Sequence, residues 1–358
     1  MSAGYPPPRG RQVFAAAHVA AAPGPGGTEV IDWESTIRFR QYLWAHGFGV
    51  AEAMDTAQRG LGLSWPQARE LIIRSAAART GALACGAGTD QLADGEDHTL
   101  SAITGAYADQ VGFVTSAGAQ VILMASRALA ARARSPRDYL DVYGELVTQA
   151  GRPVILHWLG EAFDPALRGY WGNPDFETAA GTVLELIERA GDRVDGVKLS
   201  VLDAGRERWL RRRLPAGVRL YTGDDFNYAD LIRGDAEGHS DALLGAFAAI
   251  TVPAAAALAA LDRGDLAGYD AAMAPTVPLS RLIFEPPTYH YKVGVAFLAW
   301  LNGLQPHFAM LGGLQRQRSV THLTRVYELA AAAGALTEPE LAAERMSVML
   351  PRSVRSEI

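Results

Sequence analysis

Val194-Asp195-Gly196-Val197-Lys198-Leu199-Ser200 is the stretch from which the fold and the chemistry of this chain are read. It is short, apolar and β-branched, and it reads as a strand over Val194–Leu199. Side chains alternate along a strand, so an inward Lys198 puts Gly196 and Ser200 on its own face and turns Val197 and Leu199 outward. A charged amine between Val and Leu is costly unless it is solvated or put to use. Lys198 is one of two lysines, with Lys292, against thirty-one arginines. A guanidinium stays protonated, whereas a desolvated ε-amine can lose its proton and condense with a carbonyl. The plainer alternative is a strand-end lysine with its head in water, left over in a chain biased toward arginine.

Outward from this strand the same pattern repeats. Short apolar runs alternate with helical stretches from about residue 12 to 250. The runs are Val13–Ala17, Val50–Met54, Ala82–Cys85, Gln120–Met124, Pro153–Trp158, Val194–Leu199, Arg219–Thr222 and Ala242–Ile250. Ser64 with Pro66, and Ser135 with Pro136, mark helix starts. Parallel strands need helical crossovers, so eight alternations predict a closed (β/α)8 TIM barrel. A doubly wound open sheet is the alternative, but no Gly-x-Gly-x-x-Gly follows the first strand. After Pro253 the pattern turns helical, at Ala254–Leu261, Asp265–Ala272, Tyr289–Leu301 and Thr321–Ala333. We therefore assign residues 1–252 to the barrel and 253–358 to a C-terminal helical extension packed on it.

Composition excludes several classes. The chain is 49% hydrophobic and 20% charged, ordinary for a protein with a large core. Its net charge of −6 gives no reason to expect nucleic acid or an anionic membrane. The basic run Arg206–Arg213 reads as the solvated face of a helix. Cys85 is alone, so neither an intrachain disulfide nor a thiolate cluster is available. Ala242–Leu261 has the length of a membrane span but is mostly alanine and contains Pro253. A cytoplasmic protein without membrane segments is expected.

In a barrel of this type chemistry lies at the carboxyl ends of the strands. Polar groups recur there: His18, Asp55-Thr56, His157 and Gly223-Asp224-Asp225, besides Lys198 and Ser200. Gly196-Val197-Lys198 and Tyr221-Thr222-Gly223-Asp224-Asp225 resemble motifs of the dihydrodipicolinate synthase and N-acetylneuraminate lyase superfamily of class I aldolases. Val154-Ile155-Leu156 resembles the approach to that family's fifth-strand catalytic position. The resemblance extends over roughly residues 12–250 and, more loosely, over Tyr291–Gly303.

What the resemblance implies is covalent catalysis without external cofactor or metal. Lys198 would attack the carbonyl of a 2-oxo acid or related small molecule, and the iminium would act as electron sink for cleavage, condensation or dehydration. At an ordinary pKa of about 10.4 roughly one lysine in a few thousand is neutral at pH 7, so burial must lower that value by roughly 2–3. His157 stands where the family has a tyrosine and is expected to shuttle protons. Thr56 would orient the substrate carboxylate, and Gly223-Asp224-Asp225 would form the cavity floor. Asp55 would repel a carboxylate unless Arg59 compensates. The insertion Gly160–Asn173, with Arg168, Tyr170 and Trp171, is expected to cover the site. Relatives assemble as dimers or tetramers, which implies a homo-oligomer. Two rivals stay open: a metal-dependent barrel enzyme using His18, Asp55, His157 and Asp224, and a non-catalytic ligand-binding barrel. Lys292 is read as a packing or salt-bridging residue.

Overall fold

Phe14 and Ala16 pack into one apolar cluster, while Val13 and Ala15 pack into another. This two-residue period is what a strand in a barrel wall requires, with alternate side chains filling the interior and meeting the helices. The computed structural model describes residues 4–93 and 95–349, so residues 1–3 and 350–358, the ends of the two expected segments, lie outside the described residues. The strands in chain order are β1 (Val13–Ala16), β2 (Ala21–Pro23), β3 (Glu29–Ile31), β4 (Gly49–Glu52) and β5 (Leu83–Ala87). They continue as β6 (Gln120–Leu123), β7 (Val154–Leu159), β8 (Val194–Ser200), β9 (Arg219–Thr222) and β10 (Asp241–Leu244). The order β1-β10-β9-β8-β7-β6-β5-β4 closes on itself through a parallel β1–β4 pairing. The expected (β/α)8 TIM barrel is the fold observed.

Helices Trp33–Ala45, Trp65–Ala78, Leu100–Ser116, Pro136–Gln149, Phe176–Ala190, Ala204–Arg211 and Tyr228–Arg233 carry the crossovers. Ser64 with Gln67, and Ser135 with Asp138, form capping boxes at the two helix starts signalled by Ser and Pro. The barrel interior holds Phe14, Ala51, Met54, Ile122, Ile155, Tyr221 and Leu243, a packed core rather than a pore. Glu52, at the end of β4, accepts hydrogen bonds from Arg40 at 2.8 and 2.9 Å and from Ser75 at 2.6 Å, all fully buried. That network fixes the exit of β4, and with it the loop that carries Asp55 and Thr56.

One element differs from the sequence reading. The eighth strand is Asp241–Leu244 only, and Ala246–Ala249 is a short helix. The strand stops because the Ala246 N–H is taken by Asp225 Oδ1 at 3.0 Å instead of a ladder partner. The stretch after β1, with Pro and Gly at its turn, forms an antiparallel β2–β3 hairpin. The helix Thr251–Asp262 runs across residue 252, without a linker between barrel and extension. Among the described residues no helix is long and apolar enough to cross a membrane. In the extension the helix Tyr291–Leu301 is buried on nearly every side, which places its first turn over the carboxyl ends of the strands.

Candidate active site

Lys198 leaves β8 toward the barrel interior, as the alternation demands. It is 6% exposed, and Val197 and Leu199 belong to the outer core. Gly196 is inward too, and a Cβ there would meet Tyr221 at 2.8 Å. Across the wall His157 of β7 and Tyr221 of β9 lie in register with Lys198. Among the described residues no hydrogen bond or ion pair holds the amine. Burial lowers its pKa, opposed by the nearby carboxylates of Asp55 and Asp225. Desolvation favours the neutral amine; the two acids favour the cation, and desolvation wins.

The turn after β9 is shaped around this side chain. A Cβ on Gly223 would collide with Ser200 Oγ and come within 2.9 Å of Leu199 O and 3.1 Å of Lys198 Cε. Glycine is what lets the lysine pass. Asp225 faces the amine and is buried, and that burial pushes its carboxyl up to about 7. Asp224, next in the chain, instead accepts from the Phe226 and Asn227 N–H groups at 2.9 and 3.0 Å and from Asn227 Nδ2 at 2.8 Å. Its role is to hold the turn. His157 Nε2 lies 3.4 Å from Ser200 Oγ, and Nδ1 is buried without a partner. Burial, and then Lys198, hold the imidazole well below its ordinary pKa, so it is neutral at pH 7.

The extension supplies two side chains that sequence reasoning missed. Tyr291 reaches over the end of β10, where a Cβ on Gly245 would meet its ring at 3.0 Å. Its hydroxyl lies 2.7 Å from Thr56 Oγ1, both groups buried. Burial, then Asp55, push this phenol well above its usual pKa, so it stays protonated. Lys292 follows, 3% exposed, with Nζ donating to Tyr289 O at 3.0 Å and lying 4.5 Å from the Tyr291 ring centre. Burial brings its pKa down to about 8, opposed first by Asp55 and then by Asp164. Asp55 thus opposes the effect of burial on both of the chain's lysines. The available signal was their scarcity, which was applied to Lys198 alone.

Arg59 does not offset Asp55. Its guanidinium is bound to Asp90, Gln110 Oε1 and the Ala53 and Gly86 carbonyls. Arg168 is exposed beside Glu161 and stands outside the buried cluster. The insertion divides: Phe163 packs on Tyr291 with ring centres 6.2 Å apart, whereas Tyr170 and Trp171 turn into the helix layer against Tyr143. His18 is bound to Gln305 at 2.6 Å and packs on Phe39. Among the described residues no three His, Cys, Asp or Glu side chains converge as a metal-binding set. A cavity of about 650 Å³ opens beside Asp55 at the ends of β4 to β7, edged by Thr89, Ser126, Arg127 and Asp164.

The chain matches, over residues 1–353, a family described as "Protein of unknown function (DUF993)". It belongs to the DUF993 family. No curated protein matches it. Its fold is similar to that of dihydrodipicolinate synthase from Aquifex aeolicus, at TM-score 0.70 and 12% identity over 92% of this chain and 99% of that one. It is similar to dihydrodipicolinate synthase from Oceanobacillus iheyensis, at TM-score 0.67 and 14% identity over 91% and 97%. A prophage protein of the dihydrodipicolinic acid synthase family from E. coli K12, solved in complex with pyruvate, gives 0.69 and 13% over 89% and 98%. At such identities the likeness establishes the fold. In this DUF993 chain Tyr291 and Lys292 of the extension are buried at the carboxyl ends of the strands, where Tyr291 meets Thr56.

Proposed function

We propose that the chain is a Schiff-base-forming lyase, of aldolase or dehydratase type, acting on a 2-oxo acid or related small carbonyl compound through Lys198. The observation that carries this reading is the Lys198 amine, buried in the barrel without a hydrogen-bond partner among the described residues and lowered in pKa by that burial, near Asp55 and Asp225. The solved relatives support it at the level of fold.

Asp225, at about 7, is matched to take the proton that Lys198 gives up. Nζ then adds to the carbonyl carbon, and as the nitrogen gives up one proton the carbonyl oxygen takes one to become a hydroxyl. A second proton releases that hydroxyl as water, leaving the iminium. In C–C cleavage the iminium nitrogen accepts the electron pair of the breaking bond while the hydroxyl on the departing carbon loses its proton to become a carbonyl. In dehydration it accepts the pair of an adjacent C–H bond as that proton leaves, and the enamine then expels the neighbouring hydroxyl, with a proton, as water. The Thr56–Tyr291 hydroxyl pair is the proton relay of this scheme, because both groups are protonated, buried and joined. His157, neutral, orients the substrate by hydrogen bonding rather than as an acid. Lys292 offsets Asp55 and lets a substrate carboxylate approach Thr56. The extension, residues 253–358, then completes the site of the barrel, residues 1–252. By analogy with relatives the working form is a cytoplasmic homo-oligomer.

Incubation with a panel of 2-oxo acids and borohydride, followed by intact mass and peptide mapping, tests the reading. A single adduct on Lys198 is expected. Binding without adduct favours a ligand-binding barrel, and an adduct on Lys292 assigns the nucleophile to the wrong lysine.

A further inference from the structure

The opposite mouth of the barrel carries a second cavity, of about 420 Å³, at the amino ends of β1, β9 and β10. Arg9, Arg11, Arg211, Arg219 and His239 line it, against one acid, Asp241. The lining is thus richer in cations than in acids, in a chain of net charge −6.

The rim is built rather than incidental. Asp262 accepts from the Arg9 and Gly10 N–H groups at 2.8 and 2.9 Å, pinning the backbone there. The exposed Arg9 side chain has no partner among the described residues. Arg11 donates only to carbonyls, those of Ile232 at 2.8 Å, Gly10 at 2.7 Å and Arg233 at 3.2 Å, so its charge is not cancelled by an ion pair. Arg211 gives Nη2 to Asp235 at 2.7 Å, but its Nε and Nη1 are buried without partners, and its side chain is 8% exposed. Arg219 is balanced by Asp195 and Asp241, each at 3.1 Å. Burial, then Arg11 and Arg211, push His239 at the same mouth down to about 4.

We propose that this cavity binds a small phosphate monoester. Guanidiniums gathered at one mouth suit the oxygens of a phosphate dianion, which a guanidinium can bind in bidentate fashion. The volume falls within the roughly 300–1,000 Å³ of small-molecule sites and exceeds what a bare anion fills. Val218 and Leu220 supply apolar wall for the rest of the ligand. Lys198 opens at the other end of the barrel, so the ligand is distinct from the carbonyl substrate and its binding is independent of imine chemistry.

Calorimetric titration of the full chain with inorganic phosphate, ribose 5-phosphate and acetate tests this. Ribose 5-phosphate is expected to bind tightest and acetate not at all. It should also slow phenylglyoxal modification of Arg9 in peptide maps. Arg9→Glu, at an exposed side chain with no partner, should keep the fold and weaken binding roughly tenfold or more. Arg211→Met should weaken it comparably, and Lys198→Ala should leave it unchanged. No binding of either phosphate compound at millimolar concentration overturns the proposal. So does binding indifferent to Arg9→Glu, or binding abolished by Lys198→Ala, which would put the anion at the catalytic mouth.

Discussion

Replacing Tyr291 by phenylalanine separates a proton relay from a structural strut. The substitution removes one hydroxyl and leaves the ring on Phe284, whose centre lies 4.4 Å away in a stacked pair. Thr56 Oγ1 then loses its 2.7 Å partner in a buried setting. An unpaired buried hydroxyl costs about 1–3 kcal/mol, so urea unfolding should register a loss of that size. Thr56→Val should lose a similar amount. The double variant should fall short of the sum by about 1 kcal/mol, because it strands neither partner. Catalysis should respond far more steeply. A positioned acid–base group contributes about 10²–10⁴-fold, so imine formation, read as the rate of borohydride-trapped adduct, should slow by that factor in Tyr291→Phe. Wild-type trapping rates in a variant destabilised by the stated amount would refute the relay and leave only the strut.

Two further outcomes follow from the geometry. Gly223→Ala forces a methyl against Ser200 Oγ and to 2.9 Å from the immobile Leu199 carbonyl, so a stability loss of about 1–3 kcal/mol is expected in denaturant titration. The displaced Lys198 should also fail to trap a 2-oxo acid under conditions where wild type does. Lys292→Met tests the second amine through pH. Its pKa is about 8 in the folded chain against 10.5 unfolded, so between these values the unfolded chain holds the extra proton and stability rises with pH. Relative to wild type, the variant should lose about 2 kcal/mol of that alkaline gain in unfolding measured at pH 8 and near pH 10; parallel pH curves would show that Lys292 is not held in a low-dielectric site.

The barrel was legible because its physics is periodic. Buried parallel strands demand short apolar runs, and crossovers demand helices between them, so Val154–Leu159 and Arg219–Thr222 announced themselves. Where periodicity fails, so did the reading. Ala242–Ile250 is uniformly apolar and fits strand or helix alike; its break at Gly245 is decided by a side chain from elsewhere, Asp225, taking the Ala246 N–H. The β2–β3 hairpin rests on Pro and Gly whose turn could equally have been irregular.

The candidate site divides along the same line. Lys198, Gly223 and Asp225 lie on strand ends, where alternation and the barrel rule fix the direction of a side chain before any contact is known. Tyr291 and Lys292 lie on a helix more than ninety residues from Lys198, and their position depends on how the extension docks. Local pattern gives an apolar helix with a polar first turn, which suits a surface cap as well as an active site. Arg211 shows the converse: a basic run on one helix reads as solvated, yet packing buries this guanidinium and leaves two of its nitrogens unpaired. Asp55 ties these strands of argument together. Its charge is awkward beside a site for a carboxylate, and Arg59, four residues on, was the nearest cation in sequence. The fold commits Arg59 to Asp90 and buries Lys292 where the charge of Asp55 acts on it, so the electrostatic balance of the mouth is set by tertiary packing and not by the motif.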